Sequence, residues 1–265
     1  HLQGHAHAAR PGRPGRCEVA LGEVDDPGRQ RQLLYSVDLA EVGNLLVFGA
    51  QGSGAEGLVA TLLCSLATDY APEEACFYVM DFGAGTLSPF SALPQCGGVV
   101  LPGDPERMDN LFRLIDREVA RRRALLSAEG VSLEEYNAAH DEKIGHMVVV
   151  LANIAAFYDL YGGYEEALGT LTRDAPRCGI HFVLTASSAS AARPRLRSNF
   201  SESVVCPLND ESDLITILGS RPKAVVPKRD KRGYVVMAKE VYEFQGASVG
   251  GADQSEAALI AALGE

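Results

Sequence analysis

The 265-residue chain is short of several things, and each shortage narrows what it can be. No stretch approaches the ~20 consecutive apolar residues that cross a bilayer, and the first fifteen residues are polar and rich in Arg, Gly and Pro rather than built like a secretory leader. The body therefore reads as soluble. Positive charge is scarce: 24 Lys and Arg stand against 35 Asp and Glu, a formal net charge of -11. A nucleic-acid surface neutralises phosphates with Lys and Arg, so no nucleic acid is expected as a partner. The cysteines Cys17, Cys64, Cys76, Cys96, Cys178 and Cys206 include no C-x-x-C pair and lie in or beside apolar runs. They read as reduced buried thiols rather than disulfides or zinc ligands. Three of the histidines fall in the first seven residues, and His140, His146 and His181 lack metal-ligand spacing, so no metal site is expected.

What is present is apolar material for a folded body. Hydrophobic residues make up 46% of the chain, too many for a disordered one, and at roughly 150 residues per domain the length allows one large domain or two small ones. With no initiating Met, the chain reads as a fragment of a larger protein. Residues 1–16 carry two R-P-G turns and no hydrophobic pattern, and are assigned to a linker or an appended segment; 17–265 are assigned to a single domain.

From Cys17 onward, strand-like runs alternate with helical stretches. The segments 44–48 (NLLVF), 76–80 (CFYVM), 147–151 (MVVVL), 180–185 (IHFVLT) and 203–206 read as buried strands. A helix follows the first of them to about residue 67, another spans 164–174, and 105–127 is strongly amphipathic, with Met108, Leu111, Phe112, Ile115, Val119 and Leu126 near helical spacing. Repeated in this way, the pattern predicts an α/β fold, a mostly parallel sheet covered by helices. Near the end, 233–237 (GYVVM) and 240–244 (EVYEF) predict a β-hairpin, and 255–263 a terminal helix.

Between the first of these strands and its helix lies Gly49-Ala50-Gln51-Gly52-Ser53-Gly54-Ala55-Glu56. A phosphate-binding loop occupies that context: glycines let backbone amides curl around an anion, the helix N-terminus adds positive potential, a Lys reaches the terminal phosphates and a Ser or Thr hydroxyl binds Mg²⁺. The glycine frame of G-x-x-x-x-G-K-[ST] is here, but Ala55 stands for the Lys and Glu56 for the hydroxyl. A carboxylate about 4 Å from a phosphate, at an effective dielectric near 20, costs roughly 4 kcal/mol. Glu56 also complements the helix dipole on its own, so it is expected to take the place of the missing anion. The strand 147–151 should be followed by the aspartate that holds the metal; Ala152 and Asn153 follow instead. Glycines between strand and helix are common without any phosphate, so the loop alone leaves phosphate-binding ancestry open.

Several stretches together resemble the C-terminal ATPase modules of the EssC/EccC proteins, the FtsK/SpoIIIE-type motors of bacterial type VII secretion. They are VDDPGRQRQ from Val24, the GAQGSG loop, YVMDFGAGTL from Tyr78, Leu93-Pro94, the Arg121-Arg122-Arg123 helix, Tyr136-Asn137, GIHFVLTAS from Gly179, Asn199-Phe200, DLITILG from Asp213 and EFQ from Glu243. The resemblance runs from about Cys17 to Gly246. It implies a RecA-like P-loop NTPase fold, one of several tandem modules in a membrane-anchored parent at the cytoplasmic face of the bacterial inner membrane. It also implies neighbouring ATPase modules and small helical WXG-type secretion substrates as partners, and a hexamer in the parent. Later modules of the family are often degenerate. Ala55, Glu56, Ala152 and Lys231-Arg232-Gly233, where G-R-G is common, depart from the family pattern, so hydrolysis is not expected, no catalytic residue is assigned, and ATP with Mg²⁺ is expected to bind weakly if at all.

The vestigial nucleotide site is then Gly49, Gly52, Ser53, Gly54, Ala55, Glu56, Asp81, Ala152 and Asn153. Asp81 either faces the nucleotide or binds amides of the turn that follows it. Arg121 to Arg123 are either a trans-acting arginine finger or a solvated helix face. Arg193, Arg195 and Arg197 are candidates for docking a module, and Phe157, Tyr158, Tyr161 and Tyr164 divide between core and an apolar patch for a peptide helix. The segment 223–232, with five cations and one acid, reads as a solvated loop. The expected role is a non-hydrolysing module serving substrate docking, assembly or regulation; the alternatives are an ATPase using compensating residues and a DNA translocase.

Overall fold

A computed structural model describes residues 15–26, 31–222, 226, 231–237, 240–247 and 256–264. In chain order they form β1 (Glu18–Asp26), β2 (Arg31–Asp38), α1 (Leu39–Val42), β3 (Leu45–Phe48), α2 (Ala55–Asp69), β4 (Ala75–Asp81), β5 (Cys96–Val100), α3 (Pro105–Glu129), α4 (Leu133–Ala139) and β6 (His146–Ala152). There follow α5 (Ile154–Tyr161), α6 (Glu165–Asp174), β7 (Ile180–Ala186), α7 (Pro194–Arg197), β8 (Glu202–Val205), α8 (Glu211–Leu218), β9 (Arg232–Met237), β10 (Glu240–Gly246) and α9 (Glu256–Leu263). The expected linker 1–16 and the basic segment 223–232 lie mostly outside the described residues.

All ten strands join one sheet in the order β2-β1-β10-β9-β8-β3-β7-β6-β4-β5. From β8 to β5 neighbouring strands are parallel, and every residue of β3, β6 and β7 is buried, as a strand covered on both faces requires. Side chains alternate between faces. Val148, Val150 and Ala152 of β6 meet the core that holds Leu58, Leu62 and Leu66 of α2. Met147, Val149 and Leu151 meet the core that holds Met108, Ile115 and Val119 of α3, Phe157 of α5 and Leu168 of α6. The expected amphipathic helix is α3. Asp104 caps it by accepting from the Arg107 amide at 3.1 Å, Pro105 supplies a preset φ, and Gly130 ends it at φ 68.

The other half of the sheet is antiparallel, from β2 to β9 and on to β8. The expected C-terminal hairpin is β9–β10, and β1 pairs with β10 in a way the apolar pattern does not announce. Val19 and Leu21 of β1 alternate, but the next buried apolar residue is Val24, because the register against β2 shifts between Ala20 and Gly22. Gly22 is needed there: a Cβ would stand 2.1 Å from the Gln245 carbonyl oxygen. The sheet then curls, since the Tyr35 hydroxyl of β2 donates to the Glu202 carboxylate of β8 at 2.6 Å although three strands separate them. Among the described residues no helix is long and apolar enough to cross a membrane.

Candidate nucleotide site at the carboxyl ends of the strands

Parallel strands end together, so β3, β4, β6 and β7 deliver their following residues to one rim of the sheet, where α/β folds bind ligands. The nine candidate residues of the vestigial site all fall there. The glycine loop leaves β3 tied down on both sides: the Gly49 amide donates to the Ala186 carbonyl at 2.9 Å and the Ala50 amide to the Pro207 carbonyl at 3.0 Å. Gly52 and Gly54 hold φ of 76 and 93, conformations that L side chains rarely adopt. Gly54 caps α2 with no side-chain cap. Among the described residues no acceptor takes the Ala55 and Glu56 amides, so the positive end of the helix is intact.

At Gly49 the loop packs tightly on its own atoms. A Cβ on Gly49 would meet the Ser53 hydroxyl at 2.3 Å and the Ala55 methyl at 2.8 Å. Ser53 is buried and its hydroxyl has no hydrogen-bond partner among the described residues. The stem of a phosphate-binding lysine would start at Ala55, which is 6% exposed. Lys231 supplies a cation from the far side, with its backbone over Gly54 and its stem over Gly57. Its ammonium donates to the Thr61 hydroxyl at 3.1 Å and the Ala247 carbonyl at 3.0 Å, down the helix from the loop.

Glu56 does not fold back over the amides of its own loop, as its place in the first turn led us to expect. Its carboxylate crosses to the turn after β4, where it accepts from the Ala84 amide at 3.3 Å and the Thr86 hydroxyl at 3.1 Å. Two donors in that turn outcompete the helix dipole. Asp81, 1% exposed, accepts from the Leu87 amide at 3.0 Å with one oxygen, and its other oxygen is buried without a partner among the described residues. The turn after Asp81 thus does use its carboxylate, at Leu87. Ala152 sits beside Asp81 in register on β6 and is fully buried. Asn153, at φ 69, is committed to structure: its amide donates to the Thr185 hydroxyl at 2.7 Å, its side-chain nitrogen to the Phe82 carbonyl at 3.3 Å, and its side-chain oxygen accepts from the Ala156 amide at 3.2 Å to cap α5.

The aromatic and arginine candidates lie at the same rim, on the α3 side. Phe157 is fully buried and belongs to the core, because α5 turns it inward beside Phe112; it cannot be a contact surface. Tyr161 stacks on Phe82 with centroids 5.3 Å apart, and Tyr164 packs tilted against Phe112 at 4.6 Å. Tyr158 lies under the Arg193 guanidinium at 4.2 Å, and Arg193 also pairs with Glu165. Arg197 spends its guanidinium on the Phe48 ring and the Thr216 carbonyl, while Arg195 is exposed. The apolar side chain that α5 turns outward is Leu160, 52% exposed, which the sequence reading passed over. Thr86, Thr185 and Lys231 were also passed over as site residues; Thr86 and Thr185 stand inside the family stretches YVMDFGAGTL and GIHFVLTAS, and that was the available signal.

A parallel core with a glycine loop at the carboxyl end of one strand defines a P-loop NTPase-type fold. The chain belongs to the FtsK/SpoIIIE family, whose profile matches residues 11–245, and it is similar to the ATPase modules of type VII secretion proteins of the EssC/EccC kind. It is 34% identical over 201 residues to the ESX secretion system protein YukB of Bacillus subtilis (strain 168), a match that covers 76% of this chain and 13% of that protein. The structure of EssC (ATPases 2 and 3) from Geobacillus thermodenitrificans superposes with a TM-score of 0.86 at 26% identity, over 97% of this chain and 49% of that one. Thermomonospora curvata EccC (ATPases 2 and 3) in complex with a signal sequence peptide superposes at 0.85 and 27% identity, over 97% and 48%. The chain therefore spans about an eighth of that curated relative and half of each of these solved chains.

Proposed function

We propose that this module does not hydrolyse ATP and serves substrate docking and the assembly or regulation of other ATPase modules in a type VII secretion motor. The observation that carries the reading is the donor set at the rim. Ala55 offers no cation, the Glu56 carboxylate is spent on Ala84 and Thr86, and Ala152 offers no metal ligand. The buried Ser53 hydroxyl packed against Gly49 fills space beneath the loop. Neither a triphosphate nor Mg²⁺ fits those residues, so no chemical step is assigned to them. Two relatives are two-module chains, one bound to a signal sequence peptide, which supports neighbouring modules and a small helical WXG-type substrate as partners here. The half-exposed Leu160, with Tyr158 and Tyr161 near it in sequence, is the apolar surface at hand for a peptide helix. We take the parent to work at the cytoplasmic face of the inner membrane as a hexamer, a reading the family resemblance supports, and the acidic balance disfavours a DNA-handling role.

Calorimetry with ATP and Mg²⁺ and a steady-state turnover assay test this. The expected result is no heat at millimolar nucleotide and no turnover; steady hydrolysis that is lost on mutating Gly54 overturns it. One observation favours a second reading, a compensated nucleotide site: the unpartnered Asp81 oxygen lies beside Ala152, where the metal-holding aspartate would stand. Mg²⁺-dependent ATP binding abolished by Asp81→Asn would decide for it.

A further inference from the structure

The contact between Glu56 and the turn after β4 joins two elements that have no covalent reason to be together. Glu56 belongs to the first turn of α2, and residues 83–86 are exposed on the far side of the rim. The turn presents one amide and one hydroxyl toward the same point, and the Glu56 carboxylate uses both of its oxygens there, Oε1 on Ala84 and Oε2 on Thr86. Gly83 provides the space: a Cβ at that residue would stand 2.1 Å from Oε1. The absence of a side chain at 83 and the presence of a carboxylate at 56 are therefore matched to each other. The turn is anchored on its other side as well, since Asp81 accepts from Leu87, Phe82 stacks on Tyr161 and the Phe82 carbonyl accepts from Asn153.

We infer that Glu56 is an internal ligand: its carboxylate fills an anion seat made by the Ala84 amide and the Thr86 hydroxyl, and fastens the turn 82–87 to α2 without any bound nucleotide. The inference rests on the reading that this module works without nucleotide, and it adds how the turn is held. The carboxylate is carried by the helix itself, so the turn stays in one arrangement. Its free energy is that of a charge-assisted hydrogen-bond pair, partly exposed to water. Loss of the pair is expected to raise local opening of the turn about tenfold and to leave the buried strands alone.

The test is amide hydrogen exchange on the chain and three variants. Glu56→Ala should speed exchange at Ala84 by about tenfold while amides of β7 keep their protection. Gly83→Ala should do the same with the acid still in place, because the new methyl evicts it. The double variant should exchange no faster than either single one, as two changes that break one contact must. In Glu56→Ala, millimolar pyrophosphate should restore protection at Ala84; in the unaltered chain it should do nothing. Unchanged exchange in Glu56→Ala, or additive effects in the double variant, overturns the inference. Should Glu56→Ala not fold, Thr86→Val, which deletes the hydroxyl alone, must speed Ala84 exchange too, and failure to do so overturns it equally. ATP hydrolysis by the unaltered chain would defeat the functional reading and leave these exchange results standing, so the two fail separately.

Discussion

Lys231 holds φ 60, one of two non-glycine residues with positive φ among those described, at a position where the family resemblance leads one to expect glycine. A left-handed conformation costs an L-residue roughly 1–2 kcal/mol, and the side chain offsets it. The stem packs on Gly54, Gly57 and Gly246, and the ammonium bonds the Thr61 hydroxyl and the Ala247 carbonyl. Lys231→Gly relieves the strain and removes both bonds and the packing. With each hydrogen bond to a charged group contributing about 1.5 kcal/mol, the expected balance is destabilisation by about 1 kcal/mol, read as a lower urea midpoint at unchanged m-value. A higher midpoint would mean that the ammonium contributes nothing and that the position prefers glycine. Glu56 shows the limit of sequence reading at this scale. Its charge and its place in the first helical turn were legible, and so was the conflict with phosphate. Its partners were not, because Ala84 and Thr86 meet it only when β4 and α2 pack on one face.

At the scale of elements, α3 shows a signal that was present and misread. The run Arg121-Arg122-Arg123 suggested either a finger reaching a neighbour or a solvated face, but residues on a helix point about 100° apart and three in a row cannot share a face. The buried stripe runs Met108, Leu111, Ile115, Val119, Arg122, Leu126, and that spacing marks Arg122 as the inward member. Its guanidinium donates to Glu118 at 2.7 Å and to the Cys178 and Gly179 carbonyls at 2.9 and 3.3 Å, tying α3 to the turn before β7. Arg121 also pairs with Glu118, at 2.6 Å, but half of its side chain is exposed. Arg122→Ala leaves the buried Cys178 carbonyl without its donor and removes the inner bond to Glu118, while Glu118 keeps Arg121 and the Gly179 carbonyl keeps the Met147 amide, so it should cost about 2 kcal/mol. Arg121→Ala should cost under about 1 kcal/mol. Urea denaturation of the two variants side by side checks the contrast, and equal losses would remove the distinction drawn from burial.

For the whole molecule, the parallel half of the sheet was legible where its strands are short unbroken apolar runs between turn signals, and its edge strand β5, with Gly97-Gly98 in its middle, was not. The β1–β2 hairpin was not, because a bulge at Gly22 breaks the period-2 pattern and the pairing partner β10 lies some 200 residues away in sequence. A further long-range pairing, invisible from spacing, sets how the fold responds to acid. At the amino ends of β6 and β7, His146 and His181 are buried side by side, Nδ1 of His146 3.0 Å from Nε2 of His181, and Nδ1 of His181 2.7 Å from the Gly43 carbonyl. The carbonyl can only accept, so His181 carries its proton on Nδ1 and accepts at Nε2 a hydrogen bond donated by His146 Nδ1–H, with both rings neutral. Burial, then the Arg122 charge, push His146 down to about 4 against the pull of Asp38; burial, then His146, push His181 to about 3. Each ring binds a proton in the unfolded chain near pH 6.5 and refuses it in the folded one until far lower. Their contribution to stability is therefore complete above about pH 6.5 and is lost as pH falls from there toward 4 and 3. By pH 4.5 the loss should be on the order of 5 kcal/mol for the two rings together. Replacing His146 by Met removes one of the two titrations, so stability measured by urea at successive pH values should fall less steeply below pH 6.5 than in the unaltered chain, by close to one proton. Equal slopes in the two proteins would show that the buried pair does not govern the acid response and that the carboxylates do.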